Sequence, residues 1–168
     1  MALGTSPETP VRTVPSVDLE RYLGRWHEAA RLPNRFQKDC ASDVTADYSR
    51  RDDGRIRVVN RCRRADASTI EAEGVARVVD EKTNAKLKVR FAPSWLSVFP
   101  FVWGDYWIIA LADDYSYAVV GAPNRDYLWF LSRTASMPDA AWEAAERAAK
   151  ENGFDVARMI RTKSSPHP

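Results

Sequence analysis

Histidine and cysteine are scarce, with two of each in 168 residues. The histidines are His27 and His167, and the second lies in the last stretch of the chain. No group of His, Cys, Asp and Glu has the spacing of a zinc site, and no serine-nucleophile motif is present. Metal-assisted and acyl-transfer chemistry therefore lack their usual residues. No apolar run approaches the ~18 residues of a membrane-crossing helix. No sign of charge dominates either: 25 Lys and Arg face 23 Asp and Glu, for a net +2. A nucleic-acid partner would call for a contiguous basic stripe. Here the cations alternate with apolar residues, as in Lys86-Leu87-Lys88-Val89-Arg90, which is the pattern of a solvated sheet face. Internal repeats and low-complexity segments are missing as well. Residues 1–16 contain Pro7, Pro10 and Pro15 but no apolar run. They read as a flexible leader without an export signal.

Aromatic residues and short alternating runs are what the chain does have. Six Trp stand in it, and several fall in stretches with a two-residue period. Those stretches are 24–32, 43–51, 55–63, 70–79, 84–91, 105–112, 116–121 and 126–133. Turn residues punctuate them, most clearly Asp52-Asp53-Gly54, a strong hairpin signal. Eight short strands joined by hairpin-length turns predict an all-β, up-and-down antiparallel barrel, since closure removes exposed edges. One helix follows over 138–152, with Ser136 as N-cap and Gly153 as stop. Trp142, Ala145 and Ala149 share its apolar face. That face is expected against the outside of the barrel, with a partner-binding surface as the other reading. The predicted organisation is a leader over 1–16, one domain over 17–162 and a disordered tail over 163–168.

An eight-stranded barrel is either filled by side chains or holds one small ligand. Alternation puts Trp26, Glu28, Ala30 and Leu32 on one face of the first strand. It puts Ile56, Val58, Asn60 and Cys62 together on the third, and Tyr127, Trp129, Leu131 and Arg133 on the last. Small residues (Ala30, Ala72, Gly74, Ala76) mix with Phe91 and Trp129 on the inward face. Small inward residues leave volume, and Asn60 adds a polar group, as in an apolar small-molecule site. Ala30, Phe36, Asn60, Phe91, Tyr106 and Trp129 are the candidate ligand contacts, with Trp107 as the alternative inward residue to Tyr106. Filling of the core by the same rings is the plainer reading.

Three motifs in register with this pattern resemble those of the lipocalins. They are Gly24-Arg25-Trp26 at the first strand, Asp113-Asp114-Tyr115 in the loop before the seventh, and Arg133 at the end of the eighth. The stretches Tyr22 to Trp26, Arg31 to Phe36 and Asp126 to Thr134 are similar to bacterial outer-membrane lipocalins, relatives of apolipoprotein D and plant temperature-induced lipocalins. The resemblance implies a calyx open at one end, binding a fatty acid, lysophospholipid or similar amphiphile, with no cofactor and no catalysis. It implies a periplasmic or outer-membrane location in a bacterium, and leaves peripheral membrane association and a dimer open. Gly24, Trp26, Asp114, Tyr115 and Arg133 become structural residues, with Arg133 laid across the Trp26 ring. His27 stands where close relatives have Tyr, and Asp113 where they have Thr. The alternatives are a lipid- or isoprenoid-modifying enzyme on the same barrel and a tetrapyrrole carrier.

Cys40 and Cys62 should both lie toward the open end. They are expected to pair in an oxidising compartment if the first loop folds back, the alternative being two free buried thiols. That loop carries Arg31, Arg35 and Lys38, candidates to meet an anionic head group, with Phe36 as a cap over the cavity. An ordinary polar loop is the other reading.

Overall fold

The computed structural model describes residues 9–91 and 103–165. The first eight residues of the expected leader, and His167 in the tail, lie outside the described residues. A short helix, α1 (Leu19–Tyr22), opens the domain, and the Asp18 carboxylate caps it by accepting from the backbone N–H groups of Glu20 and Arg21. Eight strands follow: β1 (Gly24–Arg31), β2 (Ser42–Arg50), β3 (Ile56–Arg63), β4 (Thr69–Val78), β5 (Lys86–Phe91), β6 (Gly104–Leu111), β7 (Tyr117–Gly121) and β8 (Leu128–Ser132). Neighbours in this order pair antiparallel, and β1 pairs with both β8 and β2, so the sheet closes on itself. Helix α2 (Asp139–Glu151) packs outside, and a two-residue strand, β9 (Ile160–Arg161), adds to β1.

Two apolar cores result. The inner one fills the lower barrel, with Trp26, Tyr48, Val58, Leu87, Ile108 and Val120 among its buried members. The outer one lies between the barrel and α2, where Ala145 and Ala149 are fully buried and Trp142 meets Phe130 edge-on at 5.3 Å. Small residues on α2 let the helix approach the strands closely. On the rest of the outer surface, cross-strand pairs such as Arg57–Glu73 and Arg61–Glu71 run between exposed side chains. Solvent screens these pairs, so they add little to stability and keep the sheet face solvated.

Perfect alternation fails at two bulges. In β1 the register to β8 shifts between Glu28 and Ala30, and in β6 the register to β7 shifts between Ile108 and Ala110. One extra residue reverses the faces beyond it. Ala30 and Leu32, expected inside, therefore lie in the outer core, and Arg31 turns inward.

The segments around the barrel are more ordered than expected. Within the predicted leader, Val11 is buried in the outer core, the Val14 N–H donates to Ile108 O, and the Thr9 carbonyl accepts from Arg125. Pro10 and Pro15 favour an extended path for the residues before them, which suits a segment laid along the barrel. From residue 9 onward the flexible-leader reading is thus corrected. Likewise, residues 163–165 are not a loose tail. The Asp43 N–H donates to Lys163 O, and Asp43 accepts from both the Ser165 N–H and its hydroxyl. The N-cap moves as well. Helix α2 starts after Pro138 with no side-chain cap, while the Ser136 carbonyl accepts from the Thr134 hydroxyl.

Cys40 and Cys62 form a disulfide 22 residues apart in sequence. The first loop folds back through a 3-10 turn (Arg35–Gln37), with the Cys40 N–H donating to Gln37 O and the Ala41 N–H to Arg63 O. The bond thus ties the loop to the upper end of β3. Replacing both cysteines by Ser is expected to cost about 3 kcal/mol, read as a lowered urea midpoint. A midpoint that did not move would show that the backbone holds this loop without the bond.

Candidate functional site

The barrel has a closed end and an open end. At the closed end Trp26 is fully buried, and its indole N–H donates to Tyr22 O at 2.9 Å. The Arg133 guanidinium lies 3.8 Å from the Trp26 ring centre and donates to the carbonyls of Arg25, Arg21, Tyr22 and Tyr115. Tyr115, at φ 61°, stacks under Arg21 at 4.0 Å, and its hydroxyl accepts from the Asp18 N–H. Asp114 accepts from the Ser116 N–H. Gly24 adopts φ 99°, and a Cβ there would come within 3.4 Å of Arg133. These residues knit α1, β1, the β6–β7 loop and β8 into one plug.

Above the plug, three tyrosines meet. The Tyr106 hydroxyl lies 2.7 Å from that of Tyr22 and 2.9 Å from that of Tyr48. Tyr22 and Tyr48 are buried, whereas Tyr106 is half-buried on the inward face of β6. Trp107 faces outward instead, with Lys86 at 4.3 Å from its ring. Burial pushes all three phenols up, Tyr48 to about 12, so they stay protonated.

Nearer the open end the inner wall changes character. Asn60 on β3 sits between Ala46 and Ala72 in the ladder. It is half-buried, and its amide makes no hydrogen bond with the described residues. Phe91 closes β5 opposite Gly74, 41% exposed. A Cβ at Gly74 would stand 2.8 Å from the Phe91 ring, so only glycine lets that ring lie there. On the facing wall Trp129 stacks on Tyr127 at 5.8 Å, and Tyr127 on Phe36 at 5.9 Å. Phe36 itself is 71% exposed at the rim.

A buried polar network fixes this rim. Glu28 accepts from Arg31 at 2.8 Å, from Gln37 at 2.7 Å and from the Thr162 hydroxyl. Arg31 also donates to the carbonyls of Gln37 and Cys40, and the Trp129 indole donates to Gln37 Oε1 at 2.8 Å. β1, the first loop, β8 and the C-terminal segment are thereby joined. Arg31 is consumed here, which corrects its expected role as a head-group cation; Arg35 and Lys38 remain exposed.

Of the candidate contacts, Asn60, Phe91, Tyr106 and Trp129 come to the inner wall and Phe36 to its rim. Ala30 does not: the β1 bulge puts it in the outer core. Tyr22, Tyr48, Gln37 and Thr162 were not singled out by sequence. Alternation through Val44, Ala46 and Tyr48 carried a signal for Tyr48 alone.

Comparison with known proteins agrees with this architecture. Residues 17–164 match the family described as a lipocalin-like domain. Temperature-induced lipocalin-1 of Arabidopsis thaliana is 39% identical over 160 residues, covering 94% of this chain and 85% of that protein. Outer membrane lipoprotein Blc of Escherichia coli is 40% identical over 159 residues, covering 93% and 85%. Among solved structures, lobster apocrustacyanin A1 superposes with a TM-score of 0.70 at 17% identity, covering 96% of this chain and 94% of that one. With a closed eight-stranded barrel, an arginine-capped tryptophan at its base and these relatives, the chain belongs to the lipocalin family.

Proposed function

We propose that this chain binds and carries a hydrophobic small molecule, of the class of fatty acids and lysophospholipids, inside the barrel. The observation that carries the reading is the upper inner wall: Trp129 on one side, and on the other Ala72, Gly74 and an Asn60 amide with no hydrogen-bond partner among the described residues. Small apolar residues leave room, an aromatic ring supplies contact area, and one unspent polar group orients the guest. An acyl chain would run past Trp129, with its head group at the rim near Arg35 and Lys38. Phe36 and Phe91 would flank the entrance. The residues singled out act by contact and not by catalysis, so the reading is a carrier and not an enzyme. The names of the Blc relatives support an outer-membrane or periplasmic location, and a disulfide suits an oxidising compartment.

Titration with a long-chain fatty acid or lysophospholipid is expected to give a saturable change in tryptophan fluorescence. Trp129→Phe should remove most of that change while calorimetry still detects binding. A flat titration by both methods would sink the carrier reading.

A further inference from the structure

The three tyrosines above the closed end of the barrel do not balance. Three phenolic protons are present, but only two hydroxyl contacts join them, Tyr22 to Tyr106 and Tyr48 to Tyr106. Each contact uses one proton, so one remains. None of the three hydroxyls has a further partner among the described residues. Left on Tyr22 or Tyr48, the spare proton would sit at a buried oxygen, and a buried unpaired donor is costly. Tyr106 is the half-buried member and faces the interior. The lower-cost arrangement has Tyr22 and Tyr48 both donating to the Tyr106 oxygen, which has two acceptor positions. The Tyr106 O–H then points into the barrel.

We infer that Tyr106 is a hydrogen-bond donor at the cavity floor, which selects ligands bearing a neutral oxygen, a hydroxyl or a carbonyl, at their buried end. Accepting two hydrogen bonds polarises the Tyr106 O–H and strengthens it as a donor. A carboxylate is a poorer guest, because among the described residues no cation makes a hydrogen bond or ion pair at these hydroxyls. Arg133 is turned to backbone carbonyls beneath Trp26. The inference rests on the carrier reading and refines it: an amphiphile with its charged head at the rim would carry a second, uncharged oxygen at the far end of its chain.

Two isomers of equal composition test this, ω-hydroxylauric acid and α-hydroxylauric acid, titrated calorimetrically. In the unmodified protein the ω isomer is expected to bind at least as tightly as the α isomer. Tyr106→Phe should weaken the ω isomer roughly five- to tenfold, the range of one net hydrogen bond, and leave the α isomer unchanged. Tyr48→Phe removes a neighbour but not the donor, and should preserve the ratio. An ω isomer bound tenfold more weakly by the unmodified protein would overturn the inference, whether or not Tyr106→Phe folds. So would equal losses of both isomers in Tyr106→Phe, or a ratio that shifts as much in Tyr48→Phe. If both isomers bind and neither depends on Tyr106, only the floor donor fails; if neither binds, the carrier reading fails with it.

Discussion

Trp26→Ala is expected to lower folding stability by about 3–5 kcal/mol, the usual cost of truncating a large buried aromatic. Several losses converge. The ring has no exposed surface, so its removal opens a void in the inner core. The Tyr22 carbonyl loses the indole N–H that bonds it. Arg133 loses the face it lies on, which leaves a half-buried guanidinium held by backbone carbonyls alone. For a chain of this length the change corresponds to a fall in Tm on the order of 10 °C. The urea midpoint should drop with little change in slope, since the unfolded chain exposes nearly the same surface. Arg133→Lys should reproduce part of the loss. One ammonium cannot serve the four carbonyls now bonded by the guanidinium fork. A Trp26→Ala protein melting where the unmodified protein melts would show that the closed end is held by something other than this stack.

The barrel was legible because a half-buried strand writes its two faces into alternate residues. All eight runs appear as strands, with ends displaced by two residues at most. The closed-end residues were legible too, because Gly24, Trp26 and Arg133 form a recognisable motif. The interior was less so. A bulge adds one residue without altering composition, so nothing marks Ala29 as the point where β1 changes face. Simple alternation therefore puts Ala30 inside, whereas the structure has it in the outer core. The tyrosine cluster draws on α1, β2 and β6, and no local pattern links elements that far apart. Gln37 and Thr162 owe their place at the rim to how the first loop and the C-terminal segment dock. The cysteines lay between these cases, since strand direction put both near the open end but could not show the loop folding back.

Arg31→Met is expected to be the other severe substitution, costing about 3–5 kcal/mol, because it leaves the Glu28 carboxylate buried without its cation. The Glu28 side chain is only 3% exposed and that of Arg31 10%, so water cannot replace the missing partner in place. The hydrogen bonds from Gln37 and Thr162 remain, but both donors are neutral. Pairing the change with Glu28→Gln removes the stranded charge while keeping an oxygen for Gln37. That double variant should recover roughly half of the loss or more, as neutral replacements of buried pairs commonly do. The effect should also reach the open end of the barrel. Gln37 is shared between Glu28 and the Trp129 indole, and Arg31 bonds the Gln37 and Cys40 carbonyls. Loosening that joint should shift Trp129 emission to longer wavelength in Arg31→Met, and Trp129→Phe in the same background should abolish the shift. Unchanged stability in Arg31→Met would mean that the pair is not what anchors the first loop to the barrel.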